Sequence, residues 1–403
     1  MSLARNIDFL RHLPKVSRLT YVNGLGRSGW GVKPPVPSRL SEALDFGPNP
    51  GNLRMFSFVP DDLPVRSGLV VVLHGCTQTA AEYDIGAGWS TLADRYGFAV
   101  LMPEQRPSNN NNTCFNWFNP DDVARGHGEA VSIREMIDRM LIDHDIDRDR
   151  VFITGLSAGG AMTSAMLAAY PDVFAAGAVI AGLPYGVASN VKEALQGMFE
   201  APARSPDELG DLVRAATRYR GPWPRISVWH GSADRTVNPA NACEIVKQWL
   251  DVHGLPQKPM AESVVDGHPH QVWWNADGET VVESYSITDM AHGTPIGLSE
   301  TDERFGSEGA YLIEAGISSS YLIAKFFGLT RRARRTSEPE ALAAVAEPSR
   351  RHVTPLPPAE LTVRSAPSGR DHPTPPTPSD RRGRRDLSTI ILRLLSATGF
   401  RKS

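Results

Sequence analysis

The chain has 403 residues, 41% hydrophobic and 22% charged, with a formal net charge of −3. These proportions fit a globular protein and exclude a low-complexity chain and a strongly basic nucleic-acid binder. No apolar run is long enough to form a membrane span, and three cysteines (Cys76, Cys114, Cys243) make neither a disulfide framework nor a metal-ligand pattern.

Charge is unevenly spread. Residues 331–403 hold 15 Arg and Lys against 7 Asp and Glu, so a basic tail follows an acidic body. Residues 1–21 scatter four basic residues and contain no apolar core or small-residue cleavage site. A cytoplasmic location is therefore expected, with secretion as the alternative.

Residues 1–40 read as a proline- and glycine-rich lead-in, with a short helix at 7–13. A catalytic domain is expected over 41–330. Residues 53–59 partly alternate and predict a strand. Residues 69–73, LVVVL, are continuously apolar, as in a strand buried on both faces of a parallel sheet. A helix is expected at 80–96, a strand at 98–103, a polar loop at 105–122 and a helix at 131–141. Strands follow at 151–154 and 175–181, then a helical insertion at 186–222 and a strand at 225–229. A helix at 240–253 and a hairpin at 272–287, turning at Asp277-Gly278, come next. The last expected element is an amphipathic helix at 309–327. Strands alternating with helices at this spacing predict an α/β protein with a mostly parallel sheet and helices on both faces. Residues 331–386 contain ten prolines and few large apolar residues, so disorder is expected there. Residues 387–403 form a short basic amphipathic segment, suited to a polymer-granule or membrane surface. A specific nucleic-acid partner is not expected.

The most informative stretch is RVFITGLSAGGAM at 150–162. It contains G-x-S-x-G between an apolar strand and a helix rich in small residues, the context of a nucleophile elbow. The sharp turn needs small flanking residues, supplied by Gly155, Ala158, Gly159 and Gly160. Ser157 is the candidate nucleophile. In the α/β-hydrolase arrangement the acid and then the base follow it in the chain. Asp234, in the loop after strand 225–229, is favoured as the acid over Asp289. His292, after the hairpin, is favoured as the base over His230, His268 and His270. The oxyanion donors are expected to be the backbone N–H groups of Cys76, in the loop after strand 69–73, and Ala158. His74 is read as structural. No cofactor and no metal are needed.

Three blocks carry a family resemblance. They are HGCTQTAAEYDIGAGWSTLADRYGFAVLMPEQ, CFNWFNPDDVARGHGEAVSI and RVFITGLSAGGAMTSAMLAAYPDVFAAGAVIAGLPYG. In that order they resemble the polyhydroxybutyrate depolymerase and family-1 carbohydrate esterase group of the α/β-hydrolase superfamily. That group includes feruloyl and acetylxylan esterases. The resemblance implies a serine esterase with Ser157, Asp234 and His292 as its triad, and places Asn116 and Trp117 in the substrate cleft. The group's second block is closer to C-W-N-W, and here Phe115 replaces the first tryptophan. The implied substrate is a poly(3-hydroxybutyrate)-type polyester or its oligomers. A feruloyl or acetylxylan ester is the alternative, and a granule-binding protein without catalysis is the rival of another class. Cys76 and Cys114 lie in loops expected to share one rim, so an oxidising compartment would let them bridge and the cytosol would keep them reduced. His127 and Glu129 are read either as supports of the site or as part of a helix start.

Overall fold

The central strands are apolar on both sides because helices cover both faces of the sheet. The computed structural model describes residues 38–297 and 305–330. The expectations for the N-terminal helix, the 331–386 linker and the 387–403 segment lie outside the described residues. In chain order the elements are β1 (Ser41–Ala43), β2 (Arg54–Phe58), β3 (Ser67–Leu73), α1 (Ala80–Ala87), α2 (Trp89–Tyr96), β4 (Ala99–Glu104), α3 (Pro120–Val123) and α4 (Gly128–Asp143). Then come β5 (Ile146–Leu156), α5 (Ala158–Ala169), β6 (Ala176–Ile180), α6 (Val191–Glu200), α7 (Pro206–Ala215), β7 (Arg225–Gly231) and α8 (Ala240–His253). The chain continues through β8 (Ala261–Val265), β9 (His268–Trp274), β10 (Thr280–Ile287), β11 (Thr294–Ile296), β12 (Leu312–Glu314) and α9 (Ser319–Phe326).

Ten strands form one mixed sheet in the order β1-β2-β4-β3-β5-β6-β7-β10-β9-β8. The six from β4 to β10 are mutually parallel, and antiparallel strands complete both edges. Alternation along β3 feeds two cores. Leu69, Val71 and Leu73 pack with Met136 and Ile137 of α4, Met162 of α5 and Ile245 of α8. Val70 and Val72 pack on the other face with Tyr83 of α1, Leu92 of α2 and Ile323 of α9. Phe152 of β5 and Phe327 stack at 4.7 Å, tying the end of α9 to the sheet.

Three expectations need correction. The single helix at 80–96 is two helices, broken at Gly88, whose φ of 77° stops α1. A Cβ there would also meet the Gly306 backbone nitrogen at 2.6 Å, so the break admits the 305–306 segment. The helix expected over 309–327 is helical only in α9. Leu312 to Glu314 instead pair in parallel with β11, and Gly316, at φ 74°, separates strand from helix. The apolar residues 312–313 thus serve strand spacing, and Leu312 seats against Gly86. The hairpin also begins earlier than expected, so His268 and His270 lie within β9, and β8 was not anticipated.

The elbow is a backbone-on-backbone contact. Ser157 has φ 58° and ψ −117°, a strained conformation for a residue with a side chain. A Cβ on Gly159 would overlap the Leu73 carbonyl oxygen, and one on Gly160 would lie 2.8 Å from the Ile180 carbonyl oxygen. Gly159→Ala is therefore expected to cost about 2–3 kcal/mol or more, because the obstruction is rigid backbone. Urea unfolding checks this, and an unchanged midpoint would refute the close approach.

Candidate active site

The parallel strands end at one edge of the sheet, and the loops after β3, β5, β7 and β10 gather there. Ser157, Asp234 and His292 come from three of these loops and are all buried, at 9%, 5% and 8% exposure. His292 Nδ1 donates to Asp234 Oδ2 at 2.7 Å. This leaves Nε2 as the nitrogen able to take a proton, and His292 and Ser157 line one cavity. Asp234 Oδ1 accepts from the N–H groups of Thr236 and Val237, at 2.8 and 2.9 Å. Burial alone would raise the Asp234 carboxyl. Hydrogen bonds from His230 and His292, and the attraction between charges, instead hold it well below the ordinary carboxylate range.

Close approach of two loops makes this pair possible. A Cβ on Gly231 would overlap the Met290 carbonyl oxygen, and Ala233 N–H donates to that same oxygen at 3.0 Å. Asp289 is exposed, and its backbone N–H donates to Ser232 Oγ at 2.9 Å. The other histidines are accounted for as well. His268 is bonded to the Ala315 carbonyl and the Thr288 N–H, and His270 to Glu283 and Ser263 on the outer hairpin. His230 adjoins the triad acid.

The loop after β3 and the start of α5 each offer one candidate oxyanion donor. In the loop after β3, Gly75 N–H donates to Gln78 Oε1, Thr77 N–H to the Asn112 carbonyl, and Gln78 N–H to the Gly75 carbonyl. Cys76 N–H is the amide left over. Ala158 is the first residue of α5, whose positive dipole end adds to the attraction for a negative oxygen. Cys76 and Ala158 both line the cavity with Ser157. His74 is structural. It donates from Nδ1 to the Gly75 carbonyl and accepts the Gln105 N–H at Nε2. Burial lowers its pKa and keeps it neutral.

The cavity, of about 120 Å³, is walled by Trp117, Phe118, Leu183, Ala194, Met198 and Val237. Trp117 flanks it as expected. Asn116 lines an adjoining cavity of about 990 Å³ that shares Phe118 and Val191 with this one. Its amide donates to Glu129 Oε1 at 2.7 Å, its N–H donates to Glu129 Oε2 at 2.9 Å, and its Oδ1 accepts from Asn110. Asn116 thus shapes the rim loop rather than lining the apolar cavity. Glu129 is the buried hub of that loop and also accepts from Gln105 Nε2. Burial, followed by the neighbouring Asp122 charge, pushes its carboxyl up to about 8 against these hydrogen bonds. His127 precedes α4, is exposed and makes no capping bond. Cys76 and Cys114 are bonded as a disulfide, which joins the oxyanion loop to the Trp117 loop.

The family model described as esterase PHB depolymerase matches residues 56–264. The chain belongs to this family. It is a carboxylic ester hydrolase. A poly(3-hydroxyalkanoate) depolymerase C from Paucimonas lemoignei is 48% identical over 291 residues, covering 72% of this chain and 70% of that protein. An acetylxylan esterase from Coprinopsis cinerea is 36% identical over 65% of this chain and 72% of its own length. Feruloyl esterase B from Thermothelomyces thermophilus is 36% identical, with 67% and 94% covered. Among solved structures, acetyl xylan esterase from Aspergillus awamori superposes with a TM-score of 0.57 at 29% identity, covering 63% of this chain and 93% of that one.

Sequence reasoning missed Gln78, whose side chain fixes the oxyanion loop, and the aliphatic wall from α6. A glutamine two residues past a cysteine carries no distinctive signal. The α6 wall was visible only as part of a helical insertion.

Two predictions follow from the esterase site. The disulfide closes a 38-residue separation, for which loop entropy gives about 4 kcal/mol. Reduction, or Cys114→Ser, is expected to lower the unfolding midpoint and to reduce kcat about tenfold, because the Cys76 N–H is a candidate oxyanion donor. Unchanged kcat with a lowered midpoint would detach the bridge from catalysis. Asp234 has a depressed folded-state pKa, so its stabilising effect is present above its unfolded pKa of about 4 and fades as pH falls through the folded value. Wild type should therefore exceed Asp234→Asn in stability at pH 6–8, with the gap closing below about pH 4. Chemical unfolding across pH measures it.

Proposed function

We propose that the enzyme hydrolyses poly(3-hydroxybutyrate)-type polyester or its oligomers through an acyl-enzyme. The observation that carries this reading is an apolar cavity with Ser157 and His292 in its wall and Asp234 bonded behind the imidazole. The 48% identity to a polyhydroxyalkanoate depolymerase supports it. His292 Nε2 takes the Ser157 proton as Oγ attacks the ester carbonyl. The tetrahedral oxygen accepts from the Cys76 and Ala158 N–H groups, each worth about 3 kcal/mol. His292 then gives that proton to the departing alkoxide oxygen, releasing the alcohol. Water, activated by the same imidazole, attacks the acyl-enzyme, and Ser157 recovers its proton. Asp234 holds the imidazole tautomer throughout.

A branched short hydroxyacyl unit suits walls made of Leu183, Ala194, Met198 and Val237. A persistent Cys76–Cys114 bond requires an oxidising compartment, which supports the exported alternative over the cytoplasmic one. Contact of the basic 387–403 segment with the polymer surface completes the proposal.

The test is product release by purified wild type and Ser157→Ala from amorphous polymer granules, p-nitrophenyl butyrate and methyl ferulate. Cleavage of the first two by wild type, with activity in Ser157→Ala reduced by at least about 10⁴-fold, is expected. Cleavage of ferulate with polymer untouched would transfer the chain to the polysaccharide esterases. Granule binding without hydrolysis would favour the non-catalytic rival. Removing residues 387–403 should lower granule adsorption while p-nitrophenyl butyrate turnover stays unchanged.

A further inference from the structure

His230, the penultimate residue of β7, is 3% exposed and sits behind the triad acid. Its Nε2 lies 3.0 Å from the Val237 carbonyl oxygen and 3.2 Å from Asp234 Oδ2. A carbonyl oxygen only accepts, so Nε2 carries the proton and is shared between the two oxygens. Nδ1 is buried with no hydrogen-bond partner, so a second proton there would be stranded. The ring is therefore held as a neutral Nε2–H donor. It touches both ends of the 234–237 turn, which carries the catalytic carboxylate and the cavity-lining Val237.

We propose that His230 is a positioning residue for the esterase reaction, locking the Asp234 carboxylate in the rotation that points Oδ2 at His292. The oxygens of Asp234 are then fully committed. Oδ1 takes two backbone amides, and Oδ2 takes one imidazole for catalysis and one for orientation. Backbone amides fix Oδ1 alone, and the carboxyl plane would still pivot about it. The second imidazole removes that freedom. The role rests on the Ser157–His292–Asp234 reading, which fails separately if Ser157→Ala keeps its activity.

The experiment compares His230→Phe, His230→Asn and His230→Gln on p-nitrophenyl butyrate. Phenylalanine fills the space without a donor. Asparagine has a donor too short to reach Oδ2, and glutamine places an amide near the Nε2 position. The first two are expected to lose about tenfold to a hundredfold in kcat with KM within about twofold, and glutamine to recover most of the loss. Should His230→Phe not fold, the asparagine and glutamine pair carries the comparison. The loss should largely vanish in an Asp234→Asn background, because His230 acts through that carboxylate. Wild-type kcat in His230→Asn with only a lowered unfolding midpoint would overturn the proposal. A loss that multiplies in full on Asp234→Asn would overturn it as well.

Discussion

The contact between the first turn of α5 and the end of β3 governs the rest of the site. Gly159 has no Cβ because the Leu73 and His74 carbonyl oxygens occupy that place. The same approach brings together two loops that carry the proposed oxyanion donors, Cys76 and Ala158. The spacing of those donors is therefore set by a backbone contact that no rotamer change can loosen. Ser157 is held at a positive φ between them, and the strain is borne by β5 and α5, both packed into the core. A flexible nucleophile would have to find the oxyanion hole in every turnover. Here the serine and the two amides are held by packed backbone, as electrostatic preorganisation requires.

The acid and base depend on a second approach of the same kind. β7 and β10 are neighbours in the sheet, so Asp234 and His292 leave adjacent strand ends. Gly231 lets the Met290 carbonyl come close, and the two loops then share hydrogen bonds through Ala233 and Ser232. The sheet order thus places nucleophile, acid and base although 58 residues separate Asp234 from His292 in the chain.

Much of this was legible because the governing residues are ones whose chemistry leaves a trace in sequence. Gly155, Gly159 and Gly160 around Ser157 announce a steric constraint, and an apolar β3 announces a covered sheet. The order of Ser157, Asp234 and His292 then follows from the fold. Residues with ordinary local signals were misread. Leu312 and Ile313 have spacing compatible with a helix, and only their pairing with β11, a tertiary fact, makes them a strand. Gly88 sits inside a helical pattern, and its break serves the 305–306 segment, which is more than two hundred residues away. Asn116 matched a family block beside Trp117. These neighbours on one irregular loop serve two adjoining cavities, and the buried Glu129 carboxyl anchors the asparagine.

Glu129 also explains how an apolar cavity is kept among polar loops. The 105–122 segment carries many amides, and an unpaired buried amide is costly. Glu129 takes the Asn116 and Gln105 donors, and Gln105 Nε2 also donates to the Cys114 carbonyl. With these groups satisfied behind it, the loop presents Trp117 and Phe118 to the cavity, and the disulfide holds its start against the oxyanion loop. The reacting ester then meets few polar groups beyond those that act on it. In such surroundings the attraction between the Asp234 carboxylate and a protonated His292 is screened less than it would be in water. The buried carboxylate's own desolvation cost is offset by the amides of Thr236 and Val237 and by the two imidazoles. Dryness at the cavity and saturation of the acid are thus one requirement, because a half-satisfied Asp234 would draw water into the site it serves.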